Sequence, residues 1–193
     1  NVLKIEFKII EKKNILVKGC NHNFLNKSAK LFLGNAGTAF RPLTAVLAIM
    51  GGEYYLKGIE RMQERPIKDL VDSLTQIGAE INYIDNPGYP PLKISPGNII
   101  CNKNIKIKGN ISSQYLTSLL IAAPLCNQDL KIQIIGDLIS KPYINITLKL
   151  LAQFGIKYKK NNEWTNFALS SSSRFKSPKT IKVEGDASSA SYF

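Results

Sequence analysis

The sequence predicts an α/β fold made of repeated β-α-β-α-β-β units of about 75 residues, packed around buried helices. Two sets of anchors define the repeat. Gly34-Asn35-Ala36-Gly37-Thr38-Ala39-Phe40, Gly109-Asn110-Ile111-Ser112-Ser113-Gln114-Tyr115 and Gly185-Asp186-Ala187-Ser188-Ser189-Ala190-Ser191 open three similar patterns, spaced by 75 and 76 residues. Independently, Ile5-Glu6-Phe7, Ile81-Asn82-Tyr83 and Ile156-Lys157-Tyr158 read as short alternating strands spaced by 76 and 75. On this period residues 1–33 are the tail of one unit, 34–108 a second, 109–184 a third and 185–193 the start of the next segment. All belong to one partial domain, with a second domain expected outside the chain.

Each element follows from local pattern. Alternation in Ile105-Lys106-Ile107-Lys108 and Ile181-Lys182-Val183-Glu184 predicts a half-buried strand leading into an opening. Glycine marks the turn and Ser or Thr supplies the N-cap. A first helix follows, with Phe40, Leu43, Val46, Leu47 and Met50 at helical spacing, and Leu116, Leu119, Leu120 and Ala123 in the next unit. Strands come next over residues 54–57 and 131–135. Arg65-Pro66 and Lys141-Pro142 then predict second helices, because proline suits the first helical turn. Ile67, Leu70, Val71, Leu74 and Ile77 form the apolar stripe of one, and Ile144, Leu148, Leu151 and Phe154 that of the other. Gly78 and Gly155 are expected as left-handed caps. Turns at Asn86-Pro87-Gly88 and Asn161-Asn162 close a hairpin in each unit.

Composition narrows the function. The 193 residues are 44% hydrophobic and 21% charged, as in a folded protein rather than a disordered tail or fibre. The longest apolar stretch, 115–126, is interrupted by Thr117, Ser118 and Pro124 and is too short to span a bilayer. No charged-then-apolar leader is apparent, so the expected setting is cytoplasmic. The chain begins at Asn1 and stops inside a motif, which predicts a piece of a longer protein. The net charge is +12, yet only four of the 26 basic residues are Arg and the lysines are scattered. That spread reads as a solvated basic surface that attracts small anions, not as a nucleic-acid face. Cys20, Cys101 and Cys126 are far apart and odd in number, so core or surface thiols in a reducing compartment are expected, not a disulfide framework or a metal site. His22, the only histidine, has no companion suggesting a catalytic triad.

The repeat points to where the chemistry sits. Equivalent helices in packed units aim their N-termini alike, and helix N-termini bind anions through free N–H groups and the dipole. Gly37, Thr38, Ser112 and Ser113 lie at these ends, glycine allowing close approach and the hydroxyls donating to phosphate oxygens. Arg65 and Lys141 are predicted at helix starts, where the dipole disfavours a cation by about 0.3–1 kcal/mol unless an anion is bound. Arg65 and Arg61 also cluster in one loop. Lys141 has two readings, anion contact or extension into water. Arg41 either reaches the same anion or pairs with an acidic neighbour. Ser112-Ser113-Gln114 is a helix cap by itself and a ligand-binding end within the repeat. Ser140 and Tyr143 flank Lys141-Pro142. Asp186 is a cap or a site acid.

At these residues the sequence resembles the 5-enolpyruvylshikimate-3-phosphate synthase family. The segments are Leu31-Phe32-Leu33-Gly34-Asn35-Ala36-Gly37-Thr38-Ala39-Phe40-Arg41-Pro42-Leu43, Arg61-Met62-Gln63-Glu64-Arg65-Pro66-Ile67, Ser112-Ser113-Gln114-Tyr115, Ser140-Lys141-Pro142-Tyr143-Ile144, and Val183-Glu184-Gly185-Asp186-Ala187-Ser188-Ser189-Ala190-Ser191-Tyr192-Phe193. They occur in order across residues 31–193. Phe40 stands where the family usually has methionine, an apolar exchange.

The resemblance implies the inside-out α/β barrel of the enolpyruvyl transferases, two domains of three units each with the active site between them. It implies transfer of the enolpyruvyl group of phosphoenolpyruvate to the 5-hydroxyl of shikimate 3-phosphate with release of phosphate, without metal or cofactor. Carried over by position, Ser112, Ser113, Gln114 and Ser140 would hold shikimate 3-phosphate, with Tyr143 lining the pocket. Gly37 and Arg65 would hold phosphoenolpyruvate, and Gln114 would reach both. Asn35, Thr38 and Arg41 would shape the loop, with Lys141 and Asp186 in support. Gly37 and Pro42 lie where the family is sensitive to glyphosate. The proton-transfer residues are expected outside this chain, so the chain alone is expected to lack turnover. The complete enzyme is expected to be a monomer that binds neither nucleic acid nor membrane. UDP-N-acetylglucosamine enolpyruvyl transferase shares the fold but relies on a Cys in an Arg-rich loop, a setting none of the three cysteines has. A basic nucleic-acid-binding repeat protein is the reading from a different class.

Overall fold

The computed structural model describes residues 2–21, 23–126 and 128–185. His22, Asp186 and the third opening beyond Gly185 lie outside the described residues.

Two four-stranded sheets have the same topology. The first contains β3 (Ser28–Phe32), β4 (Glu53–Lys57), β5 (Glu80–Tyr83) and β6 (Leu92–Ser95), in the order β3-β4-β6-β5. The second contains β7 (Asn104–Lys108), β8 (Leu130–Ile135), β9 (Tyr158–Lys160) and β10 (Asn166–Leu169), in the order β7-β8-β10-β9. In each, the first two strands are parallel and the rest antiparallel: Leu31 faces Leu56 as Ile105 faces Ile132, and Ile81 faces Ile94 as Phe167 faces Lys160. A parallel pair requires a crossover, here α1 (Gly37–Met50) in the first unit and α4 (Ser113–Ala122) in the second. The second connections are α2 (Glu60–Gln63) with α3 (Lys68–Thr75), and α5 (Lys141–Gln153). Each unit is therefore β-α-β-α-β-β, with an extra short helix, α2, that the sequence pattern did not reveal.

The helices join the units. α1 packs chiefly on α4, α4 on α5, and α3 on α4 and β7. One continuous apolar core runs through both units, from Leu31, Phe40, Leu47 and Leu70 to Leu116, Leu120, Ile144 and Leu148. The predicted stripe of α3 is fully buried, including Ile67 and Ile77 at its flanks. The stripe of α1 is rotated from expectation. Arg41, Thr44, Ala45 and Ala48 are buried beside Phe40 and Leu47, whereas Leu43, Val46 and Met50 are only half-buried. Contact with α4 decides this: small residues let the two helices approach, and apolar spacing alone does not show which flank they share.

Gly78 and Gly155 adopt φ +94° and +79°, the left-handed region expected of C-terminal caps. Several local expectations are corrected. Thr38 does not cap α1; it is the second residue of the helix, and Ala36 precedes the first turn. Arg65 is not at a helix start but in the turn between α2 and α3. The first strand, β1 (Phe7–Glu11), begins only at Phe7 and pairs with β2 (Asn14–Val17) in a hairpin exposed on both faces. β9 begins at Tyr158, because Ile156 is drawn into the core instead. Ile181–Glu184 forms no strand, and Val183 is exposed: alternation makes a strand only where a neighbouring edge offers hydrogen bonds.

The cysteine expectation is also overturned. Cys101 and Cys126 form a disulfide, with Cα atoms 6.1 Å apart, leaving Cys20 as the free thiol. Their 25-residue separation hid the pairing, since β7 and α4 fold back between them. The thiol count therefore no longer argues for a reducing compartment.

Candidate active site

Gly37 is the first residue of α1, and its missing side chain makes room for two guanidinium groups. A Cβ there would lie 2.5 Å from Arg41 Nη1 and 2.8 Å from Arg65 Cζ. Both distances are shorter than a side chain tolerates, so only glycine leaves Arg41 and Arg65 where they are. Arg65 Nη1 donates to the Asn35 carbonyl at 3.1 Å, lying over the start of α1 from a turn 30 residues away. A cation at a helix N-terminus is electrostatically unfavourable, and a bound anion reverses that cost. The second arginine of that loop is committed elsewhere: Arg61 pairs with Glu64.

Arg41 follows neither sequence expectation fully. It sits on the buried side of α1 and donates through Nη1 to Gln114 Oε1 at 2.7 Å and through Nη2 to the Pro66 carbonyl at 3.1 Å. Its partners are neutral acceptors rather than an acidic neighbour. Burial holds its pKa below the ordinary value; Tyr115 partly offsets this and the nearby Arg65 adds to it. Arg41 Nε is buried without a hydrogen-bond partner among the described residues.

Gln114 is the second residue of α4, so Arg41 joins the N-terminal turns of the two equivalent helices. Ser112 is the N-cap of α4, extended at φ −157°, ψ 128°, and its Oγ accepts from Gln114 N at 3.2 Å. Ser113 follows as the first helical residue. The predicted cap is therefore real, and it leaves Ser112, Ser113 and Gln114 half-buried at the mouth of the cluster. Thr38 and Asn35 are exposed at the mouth of α1.

The start of α5 joins through the second unit. Ile139 N donates to the Gly109 carbonyl at 3.1 Å, bringing the segment before α5 against the turn that opens α4. Farther along, Thr117 and Thr147 hydroxyls meet at 3.0 Å, and Thr147 Oγ1 donates back to the Tyr143 carbonyl. Ser140, in left-handed conformation at φ 57°, Lys141 and Tyr143 are all exposed. The structure thus sets Arg41 and Arg65 against Gly37 and links Arg41 to Gln114, with Ser112 and Ser113 adjoining Gln114 and the start of α5, with Ser140, Lys141 and Tyr143, joined to α4 farther along.

The sequence reading missed Tyr115. It is buried on α4, its hydroxyl donates to the Pro66 carbonyl at 2.7 Å, and its ring lies beneath Arg41, 5.5 Å from Cζ. The signal was present: a tyrosine beside Leu116 and Leu119 on an apolar stripe must find an acceptor for its hydroxyl. Burial raises its pKa, partly opposed by Arg41, so the phenol remains a donor at neutral pH.

A family model described as EPSP synthase (3-phosphoshikimate 1-carboxyvinyltransferase) matches residues 1–193. The chain belongs to the EPSP synthase family. Among curated relatives, 3-phosphoshikimate 1-carboxyvinyltransferase of Cupriavidus necator is 53% identical over 186 residues, covering 95% of this chain and 43% of the relative. That of Neisseria gonorrhoeae is 50% identical over 191 residues, covering 99% of this chain and 44% of the relative. The solved structure of EPSP synthase from Acinetobacter baumannii superposes with a TM-score of 0.73 at 19% identity over 87% of this chain and 36% of that one, a likeness of fold. The chain spans about two fifths of the length of the curated relatives it matches.

No helix among the described residues is long and apolar enough to cross a membrane.

Proposed function

We propose that this chain supplies one face of the active site of an enzyme that transfers the enolpyruvyl group of phosphoenolpyruvate to the 5-hydroxyl of shikimate 3-phosphate, releasing phosphate. The observation that carries the reading is the meeting of Gly37, Arg65, Arg41 and Gln114 at the N-terminal turns of α1 and α4. Family membership and relatives bearing that enzyme name support the substrate pair.

In this reading Arg65 and the backbone at Gly37 hold the anionic groups of phosphoenolpyruvate. Ser112, Ser113, Gln114 and Ser140 hold shikimate 3-phosphate, and Tyr143 lines its pocket. Gln114 lies between the two ligands, Asn35, Thr38 and Arg41 set the shape of the α1 mouth, and Lys141 and Asp186 add polar support. The array acts by position and charge: it fixes two anions in reacting geometry and stabilises charge developing between them. Proton transfer falls to residues outside these 193, so residues 1–193 alone bring no turnover. The complete enzyme is proposed to be a cytoplasmic monomer acting in aromatic amino acid biosynthesis.

Calorimetric titration of shikimate 3-phosphate into the complete enzyme tests the assignment, alongside steady-state KM for phosphoenolpyruvate. Ser112→Ala is expected to weaken the first ligand and Arg65→Ala the second, each by about tenfold or more, as for loss of a hydrogen bond to a charged group. If neither substitution weakens either anion, the site assignment is wrong.

A further inference from the structure

We propose that Tyr115 is a positioning residue for Arg65, acting through the Pro66 carbonyl to set where the Arg65 guanidinium rests. The proposal rests on the reading that Arg65 binds phosphoenolpyruvate.

The geometry is specific. The Pro66 carbonyl receives the Tyr115 hydroxyl at 2.7 Å and Arg41 Nη2 at 3.1 Å, which occupies both acceptor positions of one oxygen. That oxygen belongs to the residue directly after Arg65. On the other side, Arg65 N donates to the Met62 carbonyl at 3.1 Å. The backbone of Arg65 is thus tethered on both sides, while Pro66 itself is exposed and outside any helix or strand. The tethers differ in origin. Met62 is local, whereas Tyr115 comes from the other unit, 49 residues along the chain, on the helix that carries Ser112 and Gln114. The hydroxyl therefore holds the Arg65 turn in register with the α4 mouth.

Tyr115→Phe isolates this role. The ring and its place under Arg41 remain, while the hydroxyl's donation to Pro66 is lost together with its interaction with Arg41. Arg41 then holds the carbonyl alone, and the turn carrying Arg65 can shift. A hydroxyl that served only the core would lower stability without favouring either ligand. One that positions Arg65 changes phosphoenolpyruvate use selectively.

Steady-state kinetics of the complete enzyme decide between these. With Tyr115→Phe, the KM for phosphoenolpyruvate is expected to rise about 3–10-fold, the scale of one net hydrogen bond. The KM for shikimate 3-phosphate should stay within about twofold. Because Tyr115 acts through Arg65, adding Tyr115→Phe to Arg65→Ala should give no further rise. Equal changes in both KM values, no change in either, or a full additional rise in the double variant overturns the proposal. If Arg65→Ala itself leaves the phosphoenolpyruvate KM unchanged, the underlying reading fails and this proposal with it. If Arg65→Ala raises it while Tyr115→Phe does not, only the positioning role is lost.

Discussion

Arg41 donates to the side-chain oxygen of Gln114 at 2.7 Å, across 73 residues of sequence. One residue is on α1 and the other on α4, so this hydrogen bond connects the N-terminal turns of two repeated units. It fixes their spacing in the manner of a strut: a rigid planar donor fork reaches from a buried position to neutral acceptors on two other elements.

Arg41→Ala removes that strut and its aliphatic packing. Gln114 Oε1 loses its donor and the Pro66 carbonyl keeps only Tyr115. The expected loss is about 3 kcal/mol in urea unfolding, more than a surface arginine causes. A midpoint unchanged from the parent would show that the buried guanidinium is not holding the helices together.

Gly37→Ala should act on the site through the two arginines. Alanine is the better helix former by up to about 1 kcal/mol, so the helix itself does not suffer. The new methyl group would meet Arg41 Nη1 and Arg65 Cζ, and both guanidinium groups must move. A displacement of about 1 Å at such groups costs up to about 100-fold, so a rise of tenfold or more in the phosphoenolpyruvate KM is expected in the complete enzyme. The unfolding midpoint should fall, but by less than in Arg41→Ala, because the displaced Arg41 Nη1 is the atom that donates to Gln114. Wild-type kinetics in this variant would mean that the two arginines do not serve that ligand.

Tyr83 predicts a pH effect. Its hydroxyl is buried without a hydrogen-bond partner among the described residues. Burial, and then the negative charges of Asp72 and Asp69, push its pKa up to about 12. The folded state therefore favours the protonated phenol. This contribution is complete below the ordinary tyrosine value near 10 and is lost as pH rises from there through about 12. Tyr83→Phe should be neutral to slightly stabilising at pH 7, since an unpartnered buried hydroxyl costs about 1 kcal/mol or more. Unfolding between pH 10 and 11 should be less pH-dependent in the variant than in the parent. Parallel curves would place Tyr83 in contact with solvent.

The disulfide predicts a thiol count. In the unfolded but unreduced protein, iodoacetamide should modify only Cys20; after reduction it should modify all three cysteines. Replacing Cys101 and Cys126 together by Ser should lower stability by about 3 kcal/mol, the loop-closure value for a span of this length. Three reactive thiols before reduction would refute the pairing.

The repeat, the order of its elements and the segments of the candidate site were legible in the sequence. Periodicity and glycine turns are local properties, so the β-α-β-α-β-β order, the stripe of α3 and the caps at Gly78 and Gly155 could all be read from one chain. The serine cap of α4 was legible for the same reason: Ser112 acts on the amide two residues along. Tertiary structure alone decided what depends on distance in space. Packing of α1 on α4 chose which flank of α1 is buried and turned Arg41 inward to Gln114 and Pro66. It placed Tyr115 against a carbonyl 49 residues away, laid Arg65 over Gly37 from a turn rather than a helix start, and paired Cys101 with Cys126. Residue type and spacing determine which local structure forms, but a hydrogen bond or disulfide between units is set by how their helices pack, and no local pattern contains that information.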